Sequence, residues 1–358
     1  MAVSFTSLTK THYFTSELET VTITTDSPIV EFHIYHQGTP HGDDDGRTLL
    51  FQSEYAVRNS RMTIYDIAEI LETHLEQNLV TVQEYVFVAI ANGETAEQSL
   101  TCCFCKQRFE DAEDFIVNHF LTTHISRLIP ANGELTLTYY VEPGTSSVTV
   151  TFKVTYRTAD GSIHTGKTTQ YRMPAFGNNY LYISAKNIKQ WMSYYFGNGE
   201  ELLSVKITIG KRQAHIYFTP SRETRIFSFR NAFNCLDTVF LSTKRITKTE
   251  TKSTIATLCN QKLQYDIEHT RSYRETTSQL TKDEALLITE MLTSKYVAIQ
   301  EDGIKEPILI TDYKSEITDE QGEGNTLEFE WEYASVRYKI DKDLFTRIFT
   351  TEYEKPFA

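Results

Sequence analysis

Two cysteines and two histidines in one short segment have nearly the spacing of a zinc finger. Residues 101–124 read TCCFCKQRFEDAEDFIVNHFLTTH, with Cys102 and Cys105 three positions apart and His119 and His124 five apart. Structural zinc sites bind the metal with four such thiolates and imidazoles in a tetrahedron. Whether the four residues form a site depends on the elements that position them.

The local pattern argues against convergence of the four side chains. No Gly or Pro lies between Leu100 and Phe109, so LTCCFC is predicted to be the second strand of a hairpin, in which residues three apart point to opposite faces. On a regular helix, residues five apart are separated by about 140° of rotation. We therefore expect buried thiols, partly exposed histidines and no metal or cofactor. Metal binding by these four residues is the open alternative.

Other motifs that carry chemistry are missing from the sequence. It contains no G-x-S-x-G, P-loop, G-x-G-x-x-G or H-E-x-x-H pattern. The acidic stretches HGDDDG (41–46) and TDEQGEGNT (318–326) have no EF-hand spacing and are predicted to be hairpin tips. No catalytic, cofactor-binding or metal-binding residue is predicted, and we expect a protein that is not an enzyme.

Composition narrows the class of protein further. The chain has 358 residues, with 35 Lys and Arg against 48 Asp and Glu, a net charge of −13. Such a charge repels phosphate backbones, so nucleic acid is not expected as a partner. No apolar run reaches the length of a signal peptide or a membrane span, which predicts a product made in the cytoplasm. Five cysteines, three of them within four positions, are not a disulfide framework.

Residue alternation predicts a mainly β protein. The chain has 21 Phe and 21 Tyr against 15 Gly and 8 Pro, a composition typical of strands. Apolar residues alternate with polar ones in VTVTFKVTY (148–156) and in LEFEWEY (327–333). Each segment therefore predicts an antiparallel strand with one buried and one solvated face.

The first two thirds of the chain contain an internal repeat. PIVEFHIYHQ, the helical TIYDIAEILETHL and the hairpin VQEYVFVAIANGETAEQSL are followed, about 120 residues later, by VTVTFKVTYR, YISAKNIKQWMSYYF and LLSVKITIGKRQAHIYF. Phe32 and Phe152 are 120 positions apart, as are the segments FLTT (120–123) and FLST (240–243). Thr63 and Ser184 are the predicted helix N-caps. The second copy has no paired His, which is a further argument against a metal in the first.

Three β-rich modules with one short helix each follow from these patterns. We predict tandem antiparallel sandwich-like modules at residues 1–125 and 126–244, the second a repeat of the first, and a C-terminal β module at 245–358. Its helix LTKDEALLITEML carries a capping box at Thr281 and Glu284. The aromatic segment WMSYYFGN (191–198) is predicted to pack mostly inside the protein, with a neighbouring subunit or a sugar as alternatives.

Several segments resemble a group of virion structural proteins encoded in the tail regions of phages and prophages of gut bacteria. The likeness is strongest from about residue 225 onward. The segments that carry it are FSFRNAFNCLDTVFLSTK, YDIEHTRSYRE, LTKDEALLITEML, PILITDYKSEI and LEFEWEYAS, together with DFIVNHFLTT and TIYDIAEILETHL in the first module. The C-terminal unit is similar in plan to tail-tube and distal-tail modules.

The resemblance implies a non-enzymatic part of a phage tail tip, baseplate or connector, located in the virion. It would assemble as a ring with copies of itself and with other tail proteins, using open sheet edges. Two alternatives stay open. One is a carbohydrate-binding or adhesion protein that recognises a host-surface glycan, and the other is a hydrolase on a β scaffold.

Overall fold

The computed structural model describes residues 2–38, 46–107, 111–174, 177–194, 196, 200–220, 224–258, 261–317 and 324–335. Most of the two predicted acidic tips, Cys259 and the segment after residue 335 lie outside the described residues. In the described residues the chain is mainly β, as predicted, with 22 strands in several sheets and four α-helices.

The first module is a sandwich of a five-stranded and a three-stranded sheet. Its elements are β1 (Ser4–Phe5), β2 (His12–Phe14), β3 (Thr20–Thr24), β4 (Ile29–Gln37), β5 (Arg47–Ala56), β6 (Arg61–Tyr65), α1 (Ile67–Gln77), β7 (Val82–Ala91), β8 (Glu94–Cys103) and α2 (Ala112–Asn118). The large sheet has the order β2-β8-β7-β4-β5, and the small sheet β1-β3-β6. All neighbours are antiparallel except β2 and β8.

Alternate residues of each strand face the core of this module. Val30, Phe32 and Ile34 on β4 are fully buried and face the small sheet, where Val21 and Ile23 are fully buried too. The β7–β8 hairpin turns at Asn92 and Gly93, both with positive φ. This is the Asn-Gly turn that matches the twist of two antiparallel strands.

The second module repeats this topology. Its elements are β9 (Ser126–Pro130), β10 (Glu134–Val141), β11 (Val148–Arg157), β12 (Ile163–Arg172), β13 (Gly177–Ser184), α3 (Ala185–Trp191), β14 (Glu201–Ile209) and β15 (Arg212–Thr219). The large sheet has the order β12-β11-β14-β15-β9, again with a parallel pair, β15 and β9, at one edge. Strands β10 and β13 form the small sheet. The predicted repeat is therefore confirmed as a shared strand order.

The repeat ends earlier than the sequence pattern indicated. The strands β16 (Arg225–Arg230) and β17 (Leu236–Leu241) belong to the third sheet, because β16 pairs with β20. After β8 the first module instead has the helix α2. The predicted equivalence of residues 120–123 and 240–243 is therefore wrong. Residues 226–229 of β16 pair with residues 297–300, which lie beyond the predicted module boundary at residue 244.

The third sheet has seven antiparallel strands and one helix. The other elements are β18 (Thr243–Leu258), β19 (Gln261–Thr277), α4 (Lys282–Leu292), β20 (Val297–Glu301), β21 (Ile304–Ser315) and β22 (Leu327–Tyr333), in the order β17-β16-β20-β21-β22-β19-β18. Four strands separate β16 from β18 in this order, yet Arg225 Nε donates to Thr243 Oγ1 over 3.2 Å. The sheet is thus rolled so that its two ends meet.

The first residues of the helices show which of the predicted N-caps are correct. Thr281 and Glu284 form the predicted capping box of α4. Ser184 accepts a hydrogen bond from Asn187 N over 3.2 Å and is the N-cap of α3, as predicted. Thr63 is not a cap, because it lies in β6, and α1 begins after Asp66, whose φ is 65°. None of the helices in the described part of the chain has the length and hydropathy that a membrane crossing requires.

Candidate functional site

The two cysteines of the finger-like segment lie in different hydrophobic clusters. Cys102 is on β8 and is buried in the core of the first module. Cys105 follows the strand and is buried in a second cluster, between the modules. The two side chains diverge as predicted, although the strand is shorter than the predicted LTCCFC, because β8 ends at Cys103.

The two histidines are also apart from the thiols. His119 ends α2, where its half-exposed ring stacks on Phe115 and lies 3.5 Å from a carboxylate oxygen of Asp114. His124 Nε2 lies 3.0 Å from Glu290 Oε2, on a helix of the third module. The structure does not bring Cys102, Cys105, His119 and His124 together. Among the described residues, no group of three or more His, Cys, Asp or Glu could hold a metal ion.

Three of the thiols lie where the modules meet, in a group of buried side chains that we call the central cluster. Its members are Phe14, Val82, Cys103, Cys105, Ala112, Ile116, Leu121, Tyr140, Phe233 and Cys235. Burial raises the pKa of Cys105 and of Cys235 to about 12, and that of Cys103 well above its usual value. These thiols are therefore protonated at neutral pH and are poor nucleophiles.

A turn of the third module is held at the central cluster by the hydrogen bonds of two asparagines. Asn231 Oδ1 accepts hydrogen bonds from the backbone N–H groups of Phe233 and Cys235, both over 3.0 Å, and its Nδ2 donates to Leu121 O. Asn234, with a φ of 58°, donates to the carbonyls of Leu75 and Val80 at the end of α1. Buried polar groups are costly unless paired, so these asparagines hold the turn in one position against the first module.

Ion pairs continue this junction. Arg127 on β9 donates to both carboxylate oxygens of Asp237 on β17, over 2.9 and 3.0 Å, and both side chains are buried. Glu290 on α4 accepts from Ala232 N over 2.7 Å. Burial alone would raise the pKa of Glu290, but the hydrogen bonds from His124 and Ala232 lower it below its usual value. The carboxylate is therefore held ionised as a structural acceptor.

A group of paired charges lies inside the rolled sheet of the third module. The Arg245 guanidinium lies against the rings of Tyr273 and Trp331, donates to Glu275 over 2.5 Å and to Glu301 over 2.6 Å. Burial alone would raise the pKa of Glu301, but the hydrogen bonds from Arg245 and Tyr333 bring it below its usual value. Both carboxylates are thus paired within the protein.

A small cleft separates the second and third modules. It is lined by β9, β17 and α4, including Arg127, Phe240, Asp283 and Leu287. Its volume is about 40 Å³, the space of very few water molecules. A drug-sized ligand occupies several hundred Å³, so this cleft does not fit one.

The aromatic segment of the second module is mostly packed, as predicted, in its described residues 191–194 and 196, and Tyr195 lies outside them. Trp191 lies against Phe152, with ring centroids 5.0 Å apart, and under the guanidinium of Arg172. Phe196 packs against Tyr156, and Met192 is buried. Tyr194 is 94% exposed. Other exposed tyrosines of this module, Tyr180 and Tyr182, lie on one face of β13.

The residues at the junction were not predicted as a functional group. The turn NAFNC, residues 231–235, places two asparagines within an aromatic segment, and this unusual mixture is the one signal that the sequence offers. The pairing of Arg127 with Asp237 has no local signal, because 110 residues separate the two.

Comparisons with known proteins do not identify a family. No family model matches the chain, and no curated protein matches it. Among solved structures, CBD12 from CALX1.2 is 9% identical, with 59% of this chain and 80% of that chain covered and a TM-score of 0.16. The fibronectin(III)-like modules of Clostridium thermocellum CbhA are 13% identical, with 61% and 94% covered and a TM-score of 0.16. Such scores carry no argument about fold or function, which rest on the geometry described above.

Proposed function

We propose that this chain is a non-enzymatic structural subunit of a phage tail tip, baseplate or connector, assembled in the virion as a ring with copies of itself and with other tail proteins. The observation that carries the assembly is a projecting hairpin of the third module, the arm. It comprises residues 248–258 of β18 and 261–272 of β19, which pair with each other. Within the described residues, β19 pairs with β22 of the sheet only through Tyr273–Thr276.

The arm is long for a ribbon of two strands. Eleven residue pairs, from Lys248 with Ser272 to Leu258 with Gln261, correspond to about 36 Å at roughly 3.3 Å per residue. An isolated two-stranded hairpin is at best marginally stable in water, and its edges are open to pairing with another chain. Among the described residues no third strand pairs with it. A neighbouring subunit would supply that support.

The side chains of the arm fit contact with a partner. Five consecutive residues of β18, Thr251–Ile255, are all exposed. The aliphatic side chain of Ile255 is 61% exposed. An exposed β-branched residue near the end of a ribbon gains free energy when a partner covers it. The placement in a phage tail rests on the resemblance of the sequence segments, and the assembly rests on the arm.

Electron microscopy and native mass spectrometry of the purified full-length chain test the proposal. We expect closed rings of one copy number. A variant in which residues 249–271 are replaced by Asn-Gly, the favoured two-residue hairpin turn, is expected to stay folded and to lose the rings. A chain that is monomeric at every concentration, or that degrades host-surface glycans or peptidoglycan, would contradict the proposal.

A matched pair of point variants separates the arm from the sheet. Ile255 on the arm and Ile246 beside the sheet are both exposed isoleucines of β18, at 61% and 45%. We expect Ile255→Asp to weaken ring formation and Ile246→Asp to leave it intact. Equal effects of the two substitutions would mean that the arm is not the contact.

The second candidate function is glycan binding. Tyr180 and Tyr182, two residues apart on β13, lie on the same face and are 51% and 52% exposed, and adjacent exposed rings can stack on sugars. Binding to a glycan array that is lost in Tyr180→Ala/Tyr182→Ala and kept in Tyr171→Ala would favour this function. No binding by the intact chain would eliminate it.

A further inference from the structure

The outer face of the large sheet in the second module carries a row of like charges, and we call it the lysine face. Lys153 on β11 is directly opposite Lys167 on β12 and Lys206 on β14, and Lys206 is directly opposite His215 on β15. Lys153 and Lys206 are exposed. The neighbouring positions on this face are mostly threonine, such as Thr151 and Thr208.

The pairing of Lys153 with Lys206 is unfavourable within an isolated subunit. Like charges that are directly opposite on adjacent strands repel each other. The five strands of the sheet contain one acidic residue, Glu201, and it is paired with Arg157 at 2.9 Å at the end of the sheet. Neither Lys153 nor Lys206 has an acidic partner within the described part of the chain. An acidic surface from outside would remove the repulsion.

The equivalent face of the first module, the glutamate face, has the opposite charge. Phe32 and Phe152 occupy equivalent positions, so the row that matches the lysines is formed by Gln52, His33, Val88 and Glu97. In the next row Glu31 is directly opposite Glu54.

Few positive charges balance this face. Its one Arg or Lys is Arg47, which already binds Glu97 over 2.6 and 3.0 Å. Glu31 accepts hydrogen bonds from His33 and Gln52, over 2.8 and 2.6 Å, and the first of these lowers its pKa most. Its negative charge is therefore kept across the neutral pH range.

We propose that the lysine face of one copy docks on the glutamate face of a second copy. The inference rests on the assembly proposed above and names a second contact in it, beside the arm. The two faces lie on different modules with the same strand order, so both are broad sheets of similar width. Since the contact joins two different surfaces, it is heterologous, and repeating it gives either a closed ring or an open filament.

Charge reversal in the full-length chain tests the docking. Lys153→Glu/Lys206→Glu is expected to raise the apparent dissociation constant of self-association at low salt by tenfold or more, on the order expected for opposed charges at an interface. The association of the natural chain is expected to weaken between 50 and 500 mM salt, roughly as screening requires. Sedimentation velocity measures both effects.

A second pair of variants makes the test reciprocal. Glu31→Lys/Glu54→Lys is also expected to lose self-association. A mixture of the two double variants restores both charge pairings and is expected to associate again. Lys186→Glu/Lys211→Glu, which changes exposed lysines of the same module away from this face, is the matched control and should associate normally.

The outcomes separate the two proposals. Rings that tolerate reversal of either face would overturn the docking and leave the assembly through the arm in place. A natural chain that never associates would overturn both. If Lys153→Glu/Lys206→Glu lost binding to heparin while self-association was unchanged, the lysine face would be a site for a soluble polyanion and the docking proposal would be wrong.

Discussion

The first two modules share a strand order but use equivalent positions for different purposes. In the first, His33 and Glu97 occupy one row of the outer sheet face, while Lys153 and His215 occupy the matching row in the second. The inward positions are alike, as Phe32 and Phe152 show. Core positions are constrained by packing, whereas outer positions are free to change charge. The duplicated fold thus supports two faces of opposite sign.

The junctions of the two modules differ as well. The parallel edge strand β2 of the first module contributes His12, Tyr13 and Phe14, which are buried without a strong ion pair. The equivalent strand β9 contributes Arg127, which binds Asp237. A buried ion pair therefore joins the second module to the third. The first module meets the third through the hydrogen bonds of Asn234 and an exposed ion pair of Lys295 with Glu76.

The largest expected effect tests the equivalence of the two cores. Phe32→Ala and Phe152→Ala each remove a fully buried ring from the centre of a sandwich. We expect each to lower the free energy of unfolding by about 3–5 kcal/mol, the cost of lost burial plus the cavity. Denaturant unfolding followed by circular dichroism measures it. A loss below about 1 kcal/mol at either position would show that the two sites are not equivalent.

The second prediction concerns the buried ion pair of Arg127 with Asp237. Arg127→Ala leaves the buried Asp237 carboxylate without its cation, and we expect a loss of about 3 kcal/mol, the lower part of the range for breaking a buried pair. The lower part applies because Thr238 N still donates to Asp237 over 2.7 Å. Arg157→Ala, which breaks the exposed pair with Glu201, is the control and should cost about 0–1 kcal/mol. Equal losses would disprove the distinction.

Much of the fold followed from residue alternation, and the junction did not. The strand period and the spacing of Phe32 and Phe152 predicted both sandwiches. The divergence of Cys102 and Cys105 was predicted too, although β8 ends at Cys103, before the second thiol. The central cluster joins Phe14, Cys105 and Phe233, which are far apart in sequence. No local pattern can reveal such contacts, because they depend on how the modules pack. The charged faces likewise required the register of the strands.

Helix capping gives a smaller effect that distinguishes the modules. Ser184 caps α3, whereas Thr63 lies in β6 and caps nothing. Ser184→Ala is expected to destabilise the protein by about 1 kcal/mol, and Thr63→Ala by much less. Thermal unfolding compares the two. A larger loss for Thr63→Ala would mean that α1 depends on that hydroxyl after all.

The smallest expected effect is a pH dependence that comes from a pair of histidines in the first module. The His36 and His74 rings lie 4.7 Å apart, and His74 Nδ1 is 2.8 Å from the hydroxyl of the buried Tyr85. Burial lowers the pKa of both histidines, and His36 lowers that of His74 further. The unfolded chain therefore binds protons more readily near pH 6.5, so stability is full above this pH and falls below it.

The comparison of modules provides the control for this effect. His164 and His215 of the second module lie on strands that are not neighbours, so they cannot form such a pair. We expect His36→Gln/His74→Gln to reduce the loss of stability between pH 7.5 and 5.5, and His164→Gln to leave it unchanged. Melting temperatures at matched ionic strength measure the difference. An unaltered pH profile in the double variant would place the titrating groups elsewhere, and the histidine pair would then be only a packing contact.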